Sequence, residues 1–151
     1  MTNDIELRMY FFTIYQLSGI QAGIQCGHAA LEYAHKYKDD PQFIDFIEDH
    51  KTWVILNGGT TNRNLGELGS LNLIALEFKE SGIKFASFHE PDLENALTSI
   101  CFLVDSRVFK FVPTADINDR EAVKAEALQI METEENFFIW EKIYNKPLAR
   151  N

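Results

Sequence analysis

An apolar strand that turns within four residues into a helix built largely of small side chains constrains this chain more than anything else in it. Residues 9–15 read as strand, Gln16, Leu17, Ser18 and Gly19 as the turn, and the helix then carries Ala22, Gly23, Cys26, Gly27, Ala29 and Ala30. Side chains that small let a helix backbone approach a sheet closely, and they leave Gln21, Gln25 and His28 as the chemistry near its start. A strand, a tight turn and a polar helix start commonly build ligand sites. His28 follows Ile24 by four residues and precedes Leu31 by three, which puts it on the apolar face by helical spacing. It reads either as a buried, hydrogen-bonded structural histidine or as part of a site.

Downstream, strand and helix patterns alternate, the signature of an α/β fold. An acidic amphipathic helix begins at Pro41 and runs to Asp49, and residues 52–56 (Thr-Trp-Val-Ile-Leu) form a short buried-strand pattern. The loop of residues 57–62, Asn-Gly-Gly-Thr-Thr-Asn, closes that strand and offers the Asn57 amide and the Gly58 backbone to a ligand, or serves only as a connection. Asn64 caps a helix expected over residues 65–79, stopped by Ser81 and Gly82. Residues 83–88 and 98–104 read as strands joined by a connection of about nine residues, enough for an antiparallel pair and too short for a parallel crossover. A four-stranded mixed sheet follows. The chain then changes character: residues 113–151 hold a charged amphipathic helix over residues 119–131 and an aromatic segment from Phe137 to Tyr144. Those aromatics must pack on the domain of residues 1–112 or on another subunit, because so much apolar surface is costly in water.

With 151 residues the chain can bury a core without staples. Its two cysteines, Cys26 and Cys101, sit in apolar stretches and read as reduced core residues of a cytoplasmic protein. Residues 1–6 are polar and acidic, unlike a signal peptide, and no apolar run spans a bilayer. The formal net charge of −9 is spread along the chain: residues 1–112 hold 9 Lys plus Arg against 15 Asp plus Glu, and residues 113–151 hold 5 against 8. Such a balance opposes a conventional nucleic-acid surface, which needs Lys and Arg for phosphates. No Walker lysine follows the glycines, no serine sits in a nucleophile elbow, and His28, His35, His50 and His89 lack metal-ligand spacing, so no nucleotide-phosphate cradle, serine triad or metal site is expected.

Taken together, the first strand leading into Gln25-Cys26-Gly27-His28-Ala29-Ala30, the Trp53-Val54-Ile55-Leu56 strand, the helix ending Glu80-Ser81-Gly82, and the strand running into Glu90-Pro91-Asp92-Leu93 resemble the class II peptidyl-tRNA hydrolases, the type first associated with archaea and eukaryotes. The resemblance covers roughly residues 9–105, in the family's order and spacing. It implies a three-layer α/β/α fold around a four-stranded mixed sheet, here with a helical C-terminal extension, and a homodimer. It also implies hydrolysis of the ester between a peptide and tRNA, with tRNA as partner and no cofactor.

Gln25 and His28 match the family motif directly. Where the family has a lysine, four residues before the motif's glutamine, stands Gln21; where it has an aspartate, Glu90; and its threonine opening the last strand corresponds to Thr98 across a shortened loop. On this reading Glu90 orients or deprotonates water, Thr98 and Gln21 supply hydrogen bonds, and His28 supports the site. Gln25, Asn57, Gly58, Asp92 and Asn95 contact substrate. A solvated loop carboxylate is a weak base, which burial or a neighbour such as Asp92 would strengthen. Against this stand a non-catalytic binding module on the same fold, favoured by the missing lysine and the negative charge, and a structural dimerisation module built on the aromatic C-terminus.

Overall fold

The structure, a computed structural model, describes residues 5–62 and 68–149. Four strands, β1 (Leu7–Ile14), β2 (Trp53–Gly59), β3 (Ala86–Glu90) and β4 (Ala96–Asp105), form one sheet in the order β2-β1-β4-β3. The two central strands are also the most continuously apolar: every residue of β4 is buried, as are all but one of β1. β1 pairs parallel with β2 and antiparallel with β4, and β3 pairs antiparallel with β4, so the sheet is mixed as expected. The carboxyl ends of β1, β2 and β3 and the start of β4 therefore meet at one end of the sheet.

Side-chain alternation along these strands feeds two cores. Met9, Phe11, Cys101 and Leu103 pack under α1 (Gly19–Lys36) and α2 (Pro41–Asp45) on one face, with Tyr33, Phe43 and Phe46. Phe12, Ile100 and Phe102 point to the other face, covered by α3 (Ser70–Glu80), the short α4 (Ser106–Phe109), α5 (Arg120–Met131) and α6 (Glu134–Ile143). The result is the three-layer α/β/α arrangement with a helical C-terminal extension. Phe137, Trp140 and Met131 of that extension share one core with Phe12 and Phe102, so the aromatics pack back on the domain. Trp140 Nε1 donates to Phe111 O at 3.2 Å, and Lys142 of α6 pairs with Glu77 of α3 at 2.7 Å. After α6 the chain returns along the free edge of β2: Asn57 N–H donates to Pro147 O, Ala149 N–H to Ile55 O, and Leu148 bridges Leu56 antiparallel.

The helix α1 settles on β3 and β4 by its small-residue strip, Ala22, Gln25, Cys26, Ala29 and Tyr33. This inverts the expected apolar face. Ile20, Ile24 and Leu31 are 80 %, 53 % and 70 % exposed, because the helix gains closer approach to the sheet by burying small side chains than by burying large ones. His28 accordingly is not a buried, hydrogen-bonded histidine; it is exposed and stacks on Phe88, with ring centroids 4.5 Å apart.

Boundaries shift for identifiable reasons. The acidic helix is α only to Asp45 and continues as a π turn over Phe46–His50, ended by Lys51 at φ 67°. The strand expected over residues 83–88 starts at Ala86, since Ile83 belongs to the end of α3: its N–H bonds Phe78 O while that of Gly82, at φ 72°, bonds Lys79 O, the two bonds of a Schellman cap. The expected cap Asn64 and helix start at residue 65 lie outside the described residues. Within them α3 begins at Ser70, whose hydroxyl donates to Gly58 O and accepts from Thr60 N–H. The expected loop at residues 57–62 is thus strand as far as Gly59, and its remainder clamps the next helix.

Candidate functional site

At the end of the sheet where β1, β2 and β3 finish, three distant elements bring polar side chains together. Gln25 of α1 accepts at Oε1 from the Thr98 hydroxyl at 2.6 Å and donates from Nε2 to Glu90 Oε2 at 3.3 Å. Chemistry fixes this orientation, because an ionised carboxylate only accepts and the amide must turn its NH2 toward it. Thr98 is fully buried and Gln25 nearly so, while Glu90 is half-exposed at the end of β3. The Thr98 hydroxyl also lies 3.4 Å from Phe88 O, and its main-chain carbonyl accepts from Thr13 Oγ1 at 3.0 Å. The carboxylate is therefore held by a rigid amide, itself anchored by two strands. Glu90 Oε1 carries no hydrogen bond among the described residues and is the oxygen available to a water or a substrate proton.

The other expected residues stand apart from this cluster. His28 lies one helical turn beyond Gln25 and touches Phe88 rather than the polar trio. Gln21 is committed to the helix start: Ser18 Oγ accepts from its N–H and its Oε1 accepts from Ser18 N–H, a complete capping box. It is a cap where the resemblance implied a catalytic hydrogen-bond partner. Gly58 is a packing glycine, since a Cβ there would come within 3.0 Å of Phe12 Cβ and Leu71 Cδ1. Asp92 is exposed in the 3-10 turn Pro91–Leu93, and Asn95, at φ 59°, closes that turn by donating its N–H to Glu90 O. Asn57 sits opposite Thr13 in the ladder and accepts at Oδ1 from Gly59 N–H.

Sequence reasoning passed over Thr13, although it is the one polar residue between Met9 and Ile14 and so stood out from its strand. It also passed over residues 147–149, which carry no periodic signal and yet wall a cavity of about 320 Å³ beside Thr13 and Asn57. A second cavity, of about 500 Å³ at the opposite end of the sheet, is lined by Asp45, Asp49, His50, Asp105 and Arg107. There Asp105 and Arg107 neutralise each other at 2.8 Å. No group of His, Cys, Asp and Glu suited to a metal ion occurs among the described residues.

A thiol nucleophile does not fit. Cys26 is fully buried, which pushes its thiol up to about 11 despite the Ser99 hydroxyl 3.7 Å away. Burial pushes Cys101 in the same direction. The chemistry this end of the sheet offers is that of a positioned carboxylate flanked by an amide and a hydroxyl, with its rim turn carrying Glu90, Asp92 and Glu94 and no Lys or Arg. Among the described helices none is long and apolar enough to cross a membrane. No family model and no curated protein matches this chain.

Proposed function

We propose that the Gln25, Thr98 and Glu90 cluster is the centre of a carboxylic ester hydrolase of the peptidyl-tRNA hydrolase type, cleaving the ester between a peptide and tRNA. The observation that supports it is the convergence itself: Gln25 bridges side chains 65 and 73 residues away, at the end of the sheet where the motif-bearing helix starts. Glu90 Oε1 takes a proton from water, the water oxygen attacks the ester carbonyl, and the tetrahedral intermediate expels the ribose oxygen, which recovers that proton from Glu90. Gln25 and Thr98 hold the carboxylate in place through this cycle. The same reading puts the chain in translation in the cytoplasm, and as a homodimer whose exposed Ile20, Ile24 and Leu31 would provide an apolar contact.

A second reading, a binding module without turnover, is favoured by Gln21. Its amide carries no charge and its Oε1 is held by Ser18 N–H, so this position supplies no cation such as the resembled family has there. Release of free tRNA from an N-acetylated aminoacyl-tRNA by the purified chain decides between them. Turnover that falls at least about a hundredfold in Glu90→Gln, the scale of a lost general base, upholds the hydrolase. Absence of turnover at high protein concentration overturns it in favour of binding.

A further inference from the structure

The cavity of about 320 Å³ beside the cluster is built from parts that a peptide-bearing ester needs next to its reacting carbonyl. Ile14 and Leu17 line it from the end of β1 and the following turn, Ala22 from the first turns of α1, and Leu148 from the returning C-terminal segment, with Thr13, Tyr15 and Asn57 as its polar members. Among the described residues, none of those lining it is charged, in a chain of net charge −9. The Thr13 hydroxyl is already spent on Thr98 O, and that bond places the cavity one strand from the cluster. Ala22 and Gln25 lie a turn apart on the buried strip of α1, so the helix that carries the amide of the cluster also lines the cavity. Asn57 gives its main-chain N–H to Pro147 and its Oδ1 to Gly59 N–H, which leaves the Nδ2 protons without a partner among the described residues.

We propose that this cavity is an acyl pocket, taking the apolar or aromatic side chain of the residue whose carbonyl is esterified, with Asn57 Nδ2 donating to the adjoining peptide carbonyl. The inference rests on the hydrolase reading for the identity of its ligand. Volume agrees: benzene occupies an apolar cavity of about 150 Å³, so the space admits a ring and the amide beside it. The absence of a charged side chain among the described lining residues disfavours a phosphate. One wall, residues 147–149, comes from the chain's C-terminal segment and is held to β2 by two main-chain hydrogen bonds. That segment therefore sets the pocket's size.

The test titrates the full chain with N-acetyl-L-phenylalaninamide, N-acetylglycinamide and adenosine while following amide NMR shifts. The phenylalanine probe is expected to perturb Thr13, Asn57 and Ala149 and to bind about tenfold tighter than the glycine probe, the worth of one buried ring in a pocket. Leu148→Asp, and separately a chain ended after Lys146, should each reduce that preference to below about threefold with the strand resonances unchanged. Equal binding of the two peptides, or adenosine shifting the same residues more strongly, overturns the acyl pocket. Ester turnover distinguishes the two failures: Glu90-dependent turnover indifferent to the acyl side chain sinks the pocket alone, and selective probe binding without turnover sinks the hydrolase alone.

Discussion

At the scale of single residues, burial decides what each polar group can do. Gln25 functions as a bridge because its amide has one donor end and one acceptor end, facing a carboxylate and a hydroxyl respectively. Cys26, one residue on, is inert for the complementary reason: no cation stabilises its thiolate. Its thiol rises from an ordinary 9.0 to about 11, so the folded chain resists ionisation that the unfolded chain accepts. Stability from this group is complete below pH 9.0 and drains away as pH climbs toward about 11. The loss amounts to about 2–3 kcal/mol. Denaturant midpoints measured from pH 8 upward should fall above about pH 9, and Cys26→Ala should flatten the fall by removing the titrating group. An unchanged decline in the variant would assign alkaline loss to other groups, such as Tyr33, which burial shifts the same way.

Elements were legible where a local signal and the tertiary structure agreed. The turn of residues 16–19 announced the start of α1, and Gly82 announced the end of α3. The small residues of α1 announced its close approach to the sheet, but the spacing of Ile24, His28 and Leu31 misled, since it marks an apolar face that the structure leaves exposed. The start of β3 was obscured in the same manner, because Ile83 is apolar whether it opens a strand or closes a Schellman cap. In the site, Gln25, Glu90 and Thr98 could be named from motif positions, but that Gln21 points back at Ser18 follows from capping geometry. Gln21→Lys separates the two roles. Lysine cannot accept from Ser18 N–H, yet Ser18 Oγ still accepts from the residue-21 N–H, so the loss stays below about 1 kcal/mol and about 2–4 °C of melting temperature. On the proposed hydrolase reading the lysine adds the charge that the resembled family carries at this position, and tRNA release by the variant should exceed that of the parent. A melting temperature that does not move would mean that the reciprocal half of the box contributes nothing.

At the scale of the molecule, the aromatic extension and the sheet are one structure. Residues 1–112 hold all four strands, but the core face formed by Tyr10, Phe12, Phe102 and Val108 is completed by Met131, Phe137, Trp140 and Ile143. Each of those four is worth about 2 kcal/mol of burial. Together they rival the low end of the about 5–15 kcal/mol that holds a domain folded. Lys142 with Glu77 and the bond from Trp140 to Phe111 add ties between α6 and the elements beneath it. Removing the extension also strips the bridging C-terminal segment from β2, leaving that edge open to pairing with other chains. A chain ended at Val112 should therefore show no cooperative thermal transition and should self-associate, whereas the full chain melts in a single step. A dispersed amide spectrum from the shortened chain would instead make residues 1–112 an autonomous domain, with the extension an ornament on a complete fold.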